Sequence, residues 1–178
     1  MKNSGVTNGI LAGVIVMILT LILYFVNKEL VVSMAVGWFL MLVYAAFMLK
    51  AGLDERAKNG GFISFGSALV PMLITYLIAT FIATVFNYVL FNFIDASLVD
   101  LQLEVAIEGV EKMRGFLGDE GADAAIAAIE EKGISTGPLQ YLLNWLGSLL
   151  IPGLLFLIYG LIVAAIIKKN NPEQERFV

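Results

Sequence analysis

Four long blocks of apolar residues constrain the fold of this chain more than any other feature of its sequence. A helix needs roughly 20 such residues to cross a bilayer. In hydrocarbon every backbone polar group must be paired within the protein, so only helices and closed β-barrels span a membrane. Barrel strands alternate apolar and polar residues, and these blocks do not. The sequence therefore predicts an all-α integral membrane four-helix bundle, a single domain over 1–178, with helices at about 9–26, 30–49, 68–93 and 139–167.

Composition excludes several other classes of protein. Hydrophobic residues make up 60% of the chain and charged residues 15%, against about 45–50% and 25% in soluble domains. There is no Cys and no His, and the net charge is −4. We therefore expect no cofactor, no metal site, no nucleic-acid partner and no enzymatic activity, since no nucleophile with a base or phosphate-binding loop is recognisable.

The distribution of Lys and Arg predicts the orientation of the helices, because basic residues collect in cytoplasmic loops. With both termini on one side, that side carries seven basic residues and the other side four. Both termini are therefore predicted to be cytoplasmic, and the connection between the third and fourth helices to face outward.

That connection is the least membrane-like part of the chain. Between residues 94 and 138 there are ten acidic and three basic residues, and the spacing predicts an acidic helical hairpin over 96–134. Apolar residues recur in it at alternating steps of four and three, as on one face of a helix. This stripe either packs within the protein or docks a protein partner. Its members are Val99, Leu103, Ala106, Val110, Met113 and Leu117.

Polar residues inside the apolar blocks are uncharged and follow helical spacing. Small and hydroxyl residues four apart are what membrane helices use to pack together, as in Gly5, Gly9 and Gly13. The polar residues form either a packing surface or the lining of a path for a solute, and the sequence does not separate the two. They are Tyr76, Thr80, Thr84, Asn87 and Tyr88, followed by Asn144 and Ser148. Pro152 and Gly153 predict a kink in the fourth helix.

Three segments carry a family resemblance. They read KNGGFISFG at 58–66, NYVLFNFID at 87–95 and LIVAAIIKK at 161–169. This order resembles the domain of unknown function 4199 family of bacterial membrane proteins. The resemblance implies four membrane helices in the bacterial inner (cytoplasmic) membrane and no established activity. It also implies, through the neighbourhood of the genes, a lipid-linked glycosyltransferase as a candidate partner.

Local chemistry explains two of these shared residue types. Gly60 and Gly61 permit a turn with positive φ before the third helix, and Ser64 is placed to cap that helix.

Three functional hypotheses follow. The first is a non-catalytic accessory or scaffold subunit of a membrane or envelope-biogenesis complex, with the outward hairpin as its docking element. The alternative is a small-molecule or lipid carrier that works as a homo-oligomer and uses the intramembrane polar residues. The third, a membrane enzyme acting on a lipid-linked substrate and built on Asp95 and the acidic residues of the hairpin, has the least support. Membrane lipids are expected partners in each case.

Overall fold

The computed structural model describes residues 3–134 and 136–170, and these residues are helical almost throughout. Four helical stretches are long and apolar enough to cross a membrane, as predicted. In chain order the helices are α1 (Ser4–Val26), α2 (Lys28–Val32), α3 (Met34–Lys58), α4 (Phe65–Val89) with a π-helical turn at Leu90–Ile94, α5 (Ser97–Lys112), α6 (Arg114–Leu117), α7 (Asp119–Lys132), α8 (Pro138–Ser148) and α9 (Ile151–Ile167).

The second apolar block does not form one helix from residue 30. Asn27 accepts a hydrogen bond from the Glu29 amide and starts the short helix α2. Ser33 then has extended φ and ψ angles, so α3 begins at Met34. At its other end α3 continues past the apolar block, where a salt bridge joins Lys50 to Asp54 at i,i+4 spacing. The helix is therefore longer than its membrane-compatible part.

Helix α4 lies at the centre of the assembly and contacts α1, α3, α8 and α9. The predicted small-residue packing is confirmed on α1, whose glycines meet α4. A Cβ atom built on Gly9 would lie 2.8 Å from Cβ of Ile78, and one on Gly13 would lie 2.8 Å from Cβ of Ile82. The backbone of α1 therefore lies directly against side chains of α4, a close approach that small residues allow in membranes.

The fourth span is broken rather than merely kinked. Helix α8 ends at Ser148, a turn follows at 149–150, and α9 begins at Ile151 with Pro152 in its first turn. Proline has no N–H and is accommodated best in the first turn of a helix, where no intrahelical donor is needed. Pro152 therefore starts the second half of the span.

The ends of the long helices define two sides of the structure. We call the side that holds Ser4, Lys58 and Lys169 the terminus side, and the side that holds Lys28 and Asp95 the far side. On the terminus side Ile63 and Lys169 exchange two backbone hydrogen bonds of 2.9 and 3.0 Å. The predicted turn before α4 is confirmed, because φ is 67° at Gly60 and 89° at Gly61. The predicted cap is confirmed as well, since Ser64 Oγ accepts from the Ser67 amide.

Candidate functional site

The segment α5–α7, which we call the arm, is attached to the rest of the protein through the first turn of α5. Leu98 is fully buried there against Leu90 and Phe91 of the π-helical turn. Helix α5 also contacts α2. Within the part of the chain that the structure describes, α7 contacts α5 and α6 and none of the membrane-spanning helices. The helix of the arm that packs against the rest of the described structure is therefore α5.

Asp95 fixes the base of the arm. One carboxylate oxygen accepts hydrogen bonds from the amide and the hydroxyl of Ser97, at 3.1 and 2.6 Å. The other accepts from the Tyr24 hydroxyl at 3.0 Å and forms an ion pair with Lys28. The Lys28 ammonium and the Ser97 hydroxyl hold the pKa of the Asp95 carboxyl well below its usual range. Asp95 therefore joins the end of α1, the start of α2 and the start of α5.

The predicted docking stripe is divided by the structure. Its first four members, from Val99 to Val110, are half-buried, and α5 contacts α7 as well as α2. Its last two members are open to solvent: Met113 is 52% exposed and Leu117 is 40% exposed. Phe116 lies between them and is 87% exposed. Phe116 was not predicted as part of this surface, because it does not follow the spacing of the stripe.

Arg114 holds the tip of the arm together. Its guanidinium donates two hydrogen bonds of 2.7 Å to Glu111 at the end of α5. It also forms an ion pair of 2.8 Å with Asp123 of α7. Arg114 lowers the pKa of the Glu111 carboxyl. Gly118, with φ of 76°, makes the turn between α6 and α7. The exposed apolar tip, Met113, Phe116 and Leu117, is therefore presented on an ordered turn.

The intramembrane polar residues do not share one environment. Tyr76 belongs to a buried aromatic group with Tyr44 and Phe156, with ring centroids 6.3 and 4.5 Å away. The Thr80 hydroxyl donates to the Tyr76 carbonyl at 2.8 Å and accepts from the Trp145 indole at 3.1 Å. These contacts join α4 to its neighbours.

Three of the remaining members, Thr84, Asn87 and Tyr88, lie nearer the far-side end of α4, and the other two lie on α8. Thr84 and Tyr88 border a mainly apolar cavity of about 220 Å³ between α4 and α8. Asn87 is half-buried. Asn144 is exposed on α8 and accepts from Gln140 at 2.8 Å, whereas the Ser148 hydroxyl donates to the Trp145 carbonyl. The structure brings Thr84 and Tyr88 together and leaves Asn144 apart from them.

A polar cluster on the terminus side was not predicted. Asn8 of α1 is 1% exposed, and its amide donates to Asp54 of α3 at 2.8 Å. Ser4, one turn earlier, donates to Glu55 at 2.7 Å and accepts from Lys58 at 2.6 Å. Asn8 Oδ1 is buried without a donor among the described residues. The only signal in the sequence is an amide in an apolar helix, and its side-chain partner, Asp54, lies on a different helix.

Within residues 3–134 and 136–170, no three His, Cys, Asp or Glu side chains are placed to hold a metal ion.

Comparison with known proteins identifies the family. No curated protein and no solved structure matches the chain significantly. The model of the family described as "Protein of unknown function (DUF4199)" matches residues 7–169, which is nearly the whole chain and includes all three segments on which the resemblance was based. This chain therefore belongs to the DUF4199 family.

Proposed function

We propose that this protein is a non-catalytic, multi-pass membrane protein that acts as an accessory or scaffold subunit of a membrane or envelope-biogenesis complex. In this proposal its arm docks a protein partner, and no chemical step is assigned to the chain. The observation that carries the proposal is the exposed tip: Phe116, 87% exposed, stands on an arm whose helix α5 packs against the rest of the described structure.

The proposed setting is the bacterial inner membrane, with both termini cytoplasmic, the four spans packed as a bundle and the arm outward as an acidic helical hairpin. Basic residues favour this orientation, because those outside the arm concentrate on the terminus side, including Lys50, Arg56, Lys58, Lys168 and Lys169. Basic residues near the ends of spans direct orientation, whereas acidic residues contribute little. The acidic arm is compatible with either side and does not weaken the assignment.

The negative charge and the apolar tip of the arm indicate the kind of surface that a partner would need. Residues 97–132 include nine acidic and three basic side chains, so the arm carries an excess of six negative charges around an apolar tip. Anionic lipid favours Lys- and Arg-rich helices and disfavours such a surface. We therefore expect a protein partner with an apolar pocket bordered by Lys or Arg. The family resemblance implies a lipid-linked glycosyltransferase as the candidate partner.

Site-specific photocrosslinking tests this proposal directly. A photoreactive phenylalanine analogue at position 116 is expected to give one discrete crosslinked protein in native membranes. The same analogue at Ala127, an exposed position on α7 away from the tip, is the matched control and should not give that product. Crosslinks from position 116 only to lipid, or only to a second copy of this chain, would contradict docking of a different protein.

Variants of the tip supply the second test. Phe116→Ser and Met113→Asp are expected to abolish recovery of the crosslinked partner, while the purified protein unfolds at an unchanged temperature. Added salt should weaken recovery as well, because exposed charges are screened at high ionic strength. Partner recovery that survives both variants would remove the tip as the docking surface.

The carrier hypothesis has one observation in its favour, the cavity bordered by Thr84 and Tyr88. A carrier that works as a homo-oligomer predicts that Thr80→Val combined with Asn144→Leu lowers solute or lipid flux in liposomes without loss of the oligomer. Flux that is unchanged in this double variant would reject the polar residues as a path.

A further inference from the structure

A second cavity opens on the terminus side, far from the arm. It has a volume of about 550 Å³ and lies where α3 and α4 meet next to the start of α1. Its lining changes character with depth. Glu55 and Lys58 at the end of α3 and Ser67 in the first turn of α4 are polar, and Val70, Pro71 and Ile74 of α4 follow them. A helix rises about 1.5 Å per residue, so the lining of the cavity extends roughly 10 Å along α4 from Ser67 to Ile74.

We propose that this cavity binds the headgroup of a phospholipid with a primary ammonium, as in phosphatidylethanolamine. The headgroup pairs a negative phosphate with a positive ammonium, and the cavity offers both complements. The Lys58 ammonium and the Ser67 hydroxyl are donors for phosphate oxygens, and the Glu55 carboxylate is an acceptor for the lipid ammonium. Glu55 and Lys58 are 28% and 34% exposed, and their charged atoms are 3.6 Å apart. Both charges therefore remain within reach of one ligand.

The backbone of α4 provides a second acceptor beside Glu55. Pro71 lies inside α4 and has no N–H, so the carbonyl of Ser67, four residues earlier, has no donor in the helical ladder. Both residues line the cavity. A backbone carbonyl in this position accepts hydrogen bonds from an ammonium, which carries three donors. The cavity thus combines two acceptors with a cationic donor.

This combination discriminates between headgroups. The quaternary ammonium of phosphatidylcholine has no N–H, so it leaves the Ser67 carbonyl without a donor. Phosphatidylglycerol has no cation and places its negative charge beside Glu55. Hydrogen bonds to charged groups contribute more than bonds between neutral groups. Losing one such bond corresponds to a preference of roughly tenfold or more.

The apolar part of the cavity favours a membrane lipid over a soluble phosphoethanolamine. Val70 is 55% exposed, and it belongs to a helix that is long and apolar enough to span the membrane. An acyl chain that runs along Val70 and Ile74 covers this surface, whereas a soluble headgroup leaves it uncovered. The inference does not rest on the proposed docking role, since the cavity and the arm lie on opposite sides.

Native mass spectrometry of the detergent-purified full chain tests the inference. With an equimolar mixture of dioleoyl phosphatidylethanolamine, phosphatidylglycerol and phosphatidylcholine, we expect the ethanolamine lipid to be retained roughly tenfold over the other two. Glu55→Gln and Lys58→Gln are each expected to bring the ratio close to one. Glu108→Gln and Lys112→Gln, which alter an exposed ion pair on α5, are the matched controls and should keep the preference.

Three outcomes would overturn the inference. One is an equal retention of the three lipids by the unmodified protein, and another is an unchanged preference in both Glu55→Gln and Lys58→Gln. The third is displacement of the lipid by soluble glycerophosphoethanolamine at equal concentration, which would show that the acyl chain is not recognised. Glu55 accepts a hydrogen bond from Ser4 and Lys58 donates one to it, so each variant is first checked for an unchanged unfolding temperature. If one of the two variants fails this check, the other decides the test.

Discussion

The α1–α4 interface and the α5–α7 contact are both pairs of helices, but they are built from opposite kinds of residue. Helix α1 presents Gly5, Gly9 and Gly13 to α4, so close that a methyl group does not fit. The arm relies on charge at its tip, where Arg114 bridges α5 and α7. The α1–α4 interface is filled by closely packed atoms. The arm, in contrast, leaves the large side chain of Phe116, on α6, in solvent.

The difference follows from the solvent around each pair. Between helices in lipid there is no hydrophobic driving force, so close packing and interhelical hydrogen bonds hold them together. Thr75 illustrates the second contribution, since its hydroxyl lies 3.1 Å from the Gly5 carbonyl across the interface. In water, contiguous exposed apolar surface marks interaction sites, and Met113, Phe116 and Leu117 together form the exposed tip that we propose as such a site. The tightest packing is therefore found in the spans, whereas recognition is the role that we propose for the arm.

The largest effect is expected from a methyl group at the tight interface. Gly9→Ala places Cβ 2.8 Å from Cβ of Ile78, which forces α1 away from α4. Overpacking of this kind costs about 1–3 kcal/mol of the free energy of unfolding. Gly37→Ala on α3 is the matched control, because a Cβ there meets nothing within 4 Å. Equilibrium unfolding in mild detergent measures both, and equal effects would refute the described packing.

A smaller effect is expected where the arm joins the spans. Asp95→Asn removes the negative charge that faces Lys28 and weakens the hydrogen bonds from Tyr24 and Ser97. We expect faster hydrogen exchange at the start of α5 and unchanged exchange in the middle of α4. Unaltered exchange at residues 97–101 would show that Asp95 does not hold the base.

The same carboxyl makes a prediction about pH. Its pKa in the folded protein is lowered, so its contribution to stability is present above the unfolded-state value and is lost as pH falls through the folded-state value. Protection at the base should therefore persist at the usual aspartate pKa of 3.8 and disappear only at lower pH. In Asp95→Asn this acid-dependent step should be absent.

A still smaller and more local effect is expected inside the arm. Arg114→Gln removes the bridge between Glu111 and Asp123, and we expect faster proteolysis near Gly118 with the same unfolding temperature for the spans. Lys112→Gln is the control, because Lys112 pairs within α5 alone. Similar proteolysis of the two variants would show that Arg114 does not order the tip.

The smallest effect on stability is expected at the residue with the clearest role in the proposal. Phe116→Ser should change the free energy of unfolding by less than about 0.5 kcal/mol, as is usual for exposed positions. Thermal unfolding checks this directly. A marked destabilisation would mean that Phe116 packs within the protein, which would weaken the docking proposal.

Features that depend on neighbouring residues in the chain could be predicted from the sequence. The four spans follow from long apolar blocks, and the turn at Gly60 and the cap at Ser64 follow from local backbone chemistry. The glycine spacing on α1 indicated a packing face without identifying which helix covers it. In each case the relevant atoms are separated by a few residues or repeat with the period of the helix.

Features that depend on which helices are neighbours could not be predicted. Asn8 looks like an isolated polar residue until α3 is known to extend beside α1 and bring Asp54 to it. The polar residues on α4 share one spacing, yet Tyr76 packs against Tyr44 whereas Thr80 meets Trp145 of α8. Periodicity identifies a face of a helix, but the contacts of that face are decided by tertiary structure.

The pairing of Ile63 with Lys169 has a consequence for how the protein is assembled. A chain is synthesised from its N-terminus, at about 5–20 residues per second. The loop before α4 is made early, but its two backbone partners at Lys169 follow only after the arm, α8 and α9. The two hydrogen bonds that fix the loop before α4 can therefore form only after α9 and Lys169 have been synthesised.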